Sequence, residues 1–226
     1  MKKFAVIVAG GSGQRMGSSL PKQFLLLKDK PLLWYTIDAF LKAFDDLQII
    51  LVLPEAHLET GEALRYLFDE PHRIQVIKGG ETRFYSVQNG LQLVDENSIV
   101  FVHDGVRCLV SKDLIVRCYE QAIAKGSAIP AVAATDSIRI ADKEKSIVAD
   151  RNNVRIIQTP QTFRSEIILP AFNQPYHSNF TDEATVVEAF GTKIFLIEGE
   201  HQNIKITRPV DLIIAEKIIE ENLSLE

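Results

Sequence analysis

The chain has 226 residues, 46% of them hydrophobic and 24% charged, with a formal net charge of −5. That length supports one domain with a large buried core, and the composition is ordinary for a soluble globular protein. The acidic balance excludes an overall electrostatic footprint for nucleic acid or an anionic membrane, so cations that meet an anionic ligand must be gathered locally.

In chain order, short apolar runs alternate with helical patterns. "FAVIV" (Phe4 to Val8) is the first predicted strand. It is far too short for a signal peptide or a membrane span, and a cytoplasmic protein is expected. Leu33, Ile37, Phe40, Leu41 and Phe44 share one helical face behind Pro31, a residue suited to a first turn. "QIILVL" (Gln48 to Leu53), "RIQVI" (Arg73 to Ile77) and "SIVFV" (Ser98 to Val102) predict buried strands. Phe84, Val87, Leu91 and Val94 form a second helical face; Leu114, Ile115, Cys118 and Ala122 form a third, behind the N-cap Ser111. "KIFLI" (Lys193 to Ile197) predicts another strand, and a last helix starts near Pro209 after the cap Thr207 and buries Leu212, Ile213 and Ile218. The two cysteines, Cys108 and Cys118, lack metal-ligand spacing and suit a reducing compartment. Such alternation predicts an α/β fold with a mostly parallel sheet covered by helices on both faces. In such sheets ligands bind beyond the carboxyl ends of the strands.

One segment departs from the alternation. "SIRIADKEKSIVA" (Ser137 to Ala149) reads as two short strands around a charged turn. A hairpin alone is marginal, so either it packs on something, such as a second subunit, or it is a solvated surface hairpin.

The first strand runs into "VAGGSGQRMGSSLPKQF" (Val8 to Phe24). No register supplies a Walker A loop, and a dinucleotide fingerprint would need glycine where Met16 stands. The shared physics survives: glycines after a strand let backbone N–H groups approach phosphate oxygens. Arg15 can fork two oxygens, and Lys22, just after the stiffening Pro21, can act as a point charge. "KGGETRFYS" (Lys78 to Ser86) places Gly79 and Gly80 near Arg83 and Ser86, and "VHDGVRC" ends the fourth predicted strand with Asp104 and Arg107. A strand-end carboxylate there suits Mg2+ or substrate hydroxyls; it also suits a helix cap or a partner for Arg107. "DRNNV" from Asp150, "QTPQTF" from Gln158, "TDEA" from Thr181 and "NIKIT" from Asn203 each have a plain structural reading as well, with Thr181 as an N-cap, Arg151 as an ion-pair partner and Lys205 as a solvated residue. Together, glycine-rich turns and cations at so many strand ends describe a polyanion site.

The opening loop resembles that of the sugar-phosphate and polyol-phosphate cytidylyltransferases. The order "HDGVR", "DRN", "QTPQTF", "TDEA", "NIKIT" is similar to the 2-C-methyl-D-erythritol 4-phosphate cytidylyltransferases of the non-mevalonate isoprenoid pathway, from Val6 to the last helix. The resemblance implies a Rossmann-like domain over residues 1–226, with a protruding β-arm at about 134–153 that interlocks a homodimer. It implies attack of a sugar-phosphate oxygen on the α-phosphorus of CTP with release of pyrophosphate, and Mg2+ as cofactor. Arg15 and Lys22 would be catalytic cations, with Arg151 and Lys205 beside them. Ala9, Gly10, Gly11, Gly80, Glu81, Arg83 and Ser86 would hold the nucleotide. Asp104, Arg107, Thr159, Thr181, Lys205 and Arg151 would meet the methylerythritol phosphate, the last two of the "DRN" and "TDEA" motifs (Arg151 and Thr181) reaching in from the other subunit. The metal would sit on Asp104 or on the CTP phosphates alone. No nucleic acid and no membrane partner is implied.

Other readings stay open. Ribitol-phosphate and other polyol-phosphate cytidylyltransferases share the loop and "QTPQTF", but tend to show "NR" where Asp150-Arg151 stand and "TDA" in place of "TDEA". A UTP- or GTP-dependent hexose-phosphate enzyme would lack "QTPQTF" and "TDEA". A non-catalytic nucleotide-binding subunit would be expected to have lost Arg15 or Lys22, and both are present.

Overall fold

The structure is a computed structural model that describes residues 1–11, 20–142 and 144–223. Arg15 therefore lies outside the described residues.

From the amino end, β1 (Lys2–Val8) is followed by the short pair β2 (Leu26–Leu27) and β3 (Lys30–Pro31), then α1 (Leu32–Ala43), β4 (Leu47–Leu53), α2 (Leu58–Arg65), β5 (Ile74–Lys78) and α3 (Arg83–Leu91). The chain continues through β6 (Ser98–Asp104), α4 (Lys112–Lys125), β7 (Ser127–Ala133), β8 (Ile138–Asp142), β9 (Lys145–Ala149), β10 (Arg155–Ile157) and β11 (Gln161–Arg164). It closes with α5 (Ser165–Ala171), α6 (Glu183–Ala189), β12 (Leu196–Glu198) and α7 (Pro209–Leu223). The main sheet has the order β10-β7-β11-β6-β1-β4-β5, with β12 also paired to β7. The pairs β6·β1, β1·β4, β4·β5 and β12·β7 are parallel, whereas β11 and β10 run antiparallel to their neighbours. The fold is α/β and Rossmann-like, with a mostly parallel sheet as expected.

Alternation along the parallel strands divides the core. Ala5, Ile7, Ile49, Leu51 and Phe101 pack against α1 and α4, while Val6, Val8, Ile50, Val52 and Val102 meet α3, α5 and α6. Val106, Leu109, Ile206 and Ala215 form a third cluster under α7. Both cysteines are buried free thiols, and burial pushes each up to about 12.

Several sequence expectations shift. The strand expected from Ser98 to Val102 runs on to Asp104, which makes that carboxylate the last residue of β6. Arg73, expected in a strand, sits in a 3-10 turn and donates to the Leu47, Leu41 and Phe44 carbonyls. The strand expected from Lys193 is only Leu196–Glu198. Strand β7 carries Pro130, which hid it; the proline lies between the stretch paired to β11 and the stretch paired to β10, where no ladder donor is lost. In α7, Ile213 faces solvent and Ala215 is buried instead. Thr207 does not cap that helix with its own oxygen. The Asp211 carboxylate accepts the Thr207 and Arg208 N–H groups at 2.7 and 2.8 Å, together with the Thr207 hydroxyl. Ser111 does cap α4, accepting from Leu114 N–H at 3.0 Å. The hairpin expected over Ser137 to Ala149 is β8–β9, a two-stranded sheet of its own with Ile140, Ile147 and Val148 exposed.

Candidate active site

The parallel register brings four strand ends to one edge: Val8 lies opposite Asp104 and Val52, and Leu53 lies opposite Lys78. Each following loop prolongs the ladder by one bond, Ala9 N–H to Val52, Gly79 N–H to Leu53 and Gly105 N–H to Val8. A Cβ on Gly105 would come within 2.9 Å of the Ala9 Cβ and 3.0 Å of Leu33 Cδ1. The bare backbone there lets the Asp104 loop lie against the glycine-rich one.

Between these loops opens a cavity of about 390 Å3. Ala9, Gly10 and Gly11 form one wall, and Gly80, Glu81, Arg83 and Ser86 form the facing one. Lys22, Asp104, Val106 and Lys205 complete it. The second wall is built by the start of α3. Thr82 caps that helix, accepting from Tyr85 N–H at 3.3 Å, and Ser86 Oγ accepts from Gly80 N–H at 3.1 Å. A Cβ at position 80 would fall 2.4 Å from the Tyr85 Cβ, so only glycine permits this approach. Lys22 leaves a 3-10 turn after Pro21, is 9% exposed, and donates to the Ile206 carbonyl at 3.1 Å. The adjacent Gln23 donates to the Ala9 carbonyl at 2.7 Å. The "PKQ" residues thus join the glycine-rich loop to the "NIKIT" segment.

Asp104 is the electrostatic centre. Its Oδ1 lies 3.2 Å from Arg83 Nη2; its Oδ2 lies 2.9 Å from Lys205 Nζ and 3.6 Å from Arg107 Nε. Burial opposes ionisation, but Arg83, Lys205 and Arg107 outweigh it and hold the carboxyl well below the usual carboxylate range. Arg107 is anchored from behind by the Asn203 carbonyl at 2.8 Å and the Ile157 carbonyl. Arg83 also forks the buried Glu183; burial works against its charge, yet Glu183 and Asp104 raise its pKa above the ordinary arginine value.

The structure gathers Ala9, Gly10, Gly11, Lys22, Gly80, Glu81, Arg83, Ser86, Asp104 and Lys205 around this cavity. Arg107 and Thr159 stand behind Asp104. The Thr159 hydroxyl oxygen accepts from Asp104 N–H at 3.1 Å and bonds His103 Nδ1 at 3.0 Å. Arg151 and Thr181 do not line the cavity. Arg151 is exposed and donates to the Thr135 carbonyl, while Thr181 is exposed with its N–H on Asn179. Nor is Thr181 the N-cap of α6. Asp182 fills that role in a capping box with Thr185. Sequence reasoning missed Glu183 and His103, although "TDEA" and "VHDG" held both; a carboxylate and an imidazole carry no mark of burial in one dimension.

His103 is wholly buried, with Nε2 facing the Arg107 carbonyl at 3.2 Å. Burial pushes its pKa down to about 3. The unfolded chain takes up this proton near pH 6.5, so His103 stabilises the fold fully above that value and progressively less as pH falls towards 3. The loss amounts to about 1.4 kcal/mol per pH unit in that window. Denaturant titrations between pH 7 and 4 are expected to show this slope and to lose it in His103→Gln; equal slopes in the two proteins would refute the assignment.

A strand-end cavity with glycine-rich walls and cations converging on it suits a polyanionic ligand bound at the sheet edge of an α/β fold. Residues 4–221 match the sequence profile of the family described as IspD, 2-C-methyl-D-erythritol 4-phosphate cytidylyltransferase. The enzyme of that name from Bacteroides fragilis is 43% identical over 221 residues, covering 97% of this chain and 100% of that one. The Porphyromonas gingivalis enzyme is 45% identical, covering 96% of this chain and 98% of its own. The crystal structure of 4-diphosphocytidyl-2C-methyl-D-erythritol synthase from Anaerococcus prevotii superposes with a TM-score of 0.82 at 27% identity, over 97% of this chain and 99% of that one. The Francisella tularensis cytidylyltransferase does so at 0.80 and 33%, over 96% and 99%. The chain belongs to the 2-C-methyl-D-erythritol 4-phosphate cytidylyltransferase family.

Proposed function

We propose that the chain joins CTP and 2-C-methyl-D-erythritol 4-phosphate into 4-diphosphocytidyl-2-C-methyl-D-erythritol, a step in isoprenoid precursor synthesis. The carrying observation is the cavity at the ends of β1, β4, β5 and β6, with Lys22 and the Asp104–Lys205 pair on its walls. A phosphate oxygen of the sugar phosphate attacks the α-phosphorus, the bond to the bridging oxygen breaks, and pyrophosphate leaves with that electron pair. Negative charge grows on the non-bridging oxygens and on the leaving group, so the chain's contribution is a pre-set clamp of cations. Lys22 and Arg15 serve the triphosphate. Lys205 and Arg107, held ready on Asp104, serve the sugar phosphate.

Asp104 does not suit a metal, because both its oxygens face cations. Among the described residues no three His, Cys, Asp or Glu gather into a metal-binding group. Mg2+ in this reading is carried by the CTP phosphates and lowers their charge. The decisive assay follows pyrophosphate release with Mg2+ and CTP, offering methylerythritol 4-phosphate and ribitol 5-phosphate side by side, with UTP as control. Release with CTP and methylerythritol phosphate alone is expected. Release with ribitol phosphate instead would overturn the choice of substrate, and silence with both would overturn the activity.

The working unit in this proposal is a cytoplasmic homodimer joined through β8–β9. The exposed Ile140 and Ile147, directly opposite one another, support burial of this arm. Among the described residues no helix is long and apolar enough to cross a membrane. Arg151, which follows the arm and is absent from its own cavity, would then reach the partner's site with Thr181. Mixing Arg151→Ala with Lys22→Ala subunits is expected to restore about a quarter of wild-type activity under random assortment, because each mixed dimer keeps one intact site. No gain over either variant alone would remove the shared site.

A further inference from the structure

Glu183 is the third residue of "TDEA" and opens α6 directly after its cap Asp182. Its side chain is 1% exposed, and both carboxylate oxygens receive the Arg83 guanidinium, Nη2 to Oε2 at 3.2 Å and Nη1 to Oε1. A buried carboxylate is tolerated only when paired, and as a source of stability such a pair is commonly no better than apolar packing. Its use must be sought in what Arg83 does next. The same Nη2 that meets Glu183 also meets Asp104 Oδ1 at 3.2 Å, and the other oxygen of Asp104 holds Lys205. Charges alternate along one line, Glu183, Arg83, Asp104, Lys205, from behind the nucleotide wall to the sugar-phosphate side of the cavity.

We propose that Glu183 is a positioning residue for the transfer: it holds Arg83 on one oxygen of Asp104 only, which keeps the other oxygen for Lys205. The inference rests on the assignment of Lys205 to the sugar phosphate made above. Lys205 is 42% exposed and Arg83 30%, so Lys205 is the cation more open to an arriving phosphate, and Asp104 keeps Arg83 as its counter-charge when Lys205 turns away. Without the Glu183 fork, Arg83 has two outlets. It can take both oxygens of Asp104 and displace Lys205, or it can enter the cavity towards the triphosphate. Either outcome spoils the seat of the sugar phosphate while leaving CTP bound as well as before, or better.

Steady-state kinetics on the full-length protein test this, with CTP and methylerythritol 4-phosphate varied in turn and melting followed alongside. In Glu183→Gln, kcat/KM for the sugar phosphate is expected to fall about tenfold or more, with KM for CTP unchanged or lower. The loss should vanish in an Arg83→Gln background, since Glu183 acts through Arg83. Equal losses towards both substrates, additive losses in the double variant, or wild-type kinetics would each overturn the inference. If Glu183→Gln does not fold, Arg83→Lys decides, because it keeps the charge and lacks the fork. The same selective loss supports the role, and unaltered sugar-phosphate kinetics overturns it. A wild-type protein silent towards both substrates would instead overturn the functional reading itself.

Discussion

Replacing Lys22 with Ala is expected to lower turnover by about two to three orders of magnitude, the loss typical when one pre-set donor to a transition state is removed. Lys22 lies against the glycine-rich wall: a Cβ on Gly11 would lie 3.6 Å from its Cε. Its ammonium is held by the Ile206 carbonyl and by surroundings that leave it largely buried, so little reorganisation precedes the reaction. The fold should survive. Loss of the bond to the Ile206 carbonyl costs about 1 kcal/mol, and the 3-10 turn that carries Lys22 is built from the backbone bonds of Phe24 and Leu25 to Pro21 and Lys22. Pyrophosphate release and thermal melting on the same preparation check both halves. A near-native kcat would remove Lys22 from the transition state, and an unfolded variant would make it a structural residue.

Replacing Asp104 with Asn has the largest expected effect on stability. The shape is kept, but Arg83, Arg107 and Lys205 lose the one carboxylate they share. Breaking a buried charge pair from one side costs roughly 3 kcal/mol, and use of the sugar phosphate should fail with it, since Lys205 and Arg107 lose their seat. The pH dependence separates charge from packing. The carboxyl of Asp104 is held below its unfolded value, which is about 3.9. Its stabilisation is therefore complete above that value and is lost as pH falls beneath it. The stability gap between wild type and Asp104→Asn should be constant from pH 7 to 5 and narrow below about pH 4. A gap that does not narrow would mean that packing, not charge, sets the cost.

Much of this site was legible in one dimension. Parallel strands read as continuous apolar runs, so β1, β4, β5 and β6 stood out, and residues at or just past their ends, Ala9 to Gly11, Gly80 to Arg83, Ser86 and Asp104, line the cavity. Distance in sequence hid the remainder. Within "TDEA" the side chain that pairs with the cavity residue Arg83 is that of Glu183, one hundred residues away in sequence. Strand β7 was hidden by Pro130, which is harmless only because of where β10 and β11 end. The outward face of α7 carries Ile213, which its apolar pattern placed inside.

Local chemistry alone dictated the alternation of elements, the glycines and cations at the strand ends, and the hairpin that breaks the pattern, because periodicity, propensity and turn residues act over a few positions. Which cation meets which carboxylate was decided only by the folded sheet. Register set Val8 beside Asp104, and long-range packing brought Lys205 and Glu183 to the same cluster. Coulomb attraction and desolvation depend on distances through space, which the order of residues along the chain does not contain.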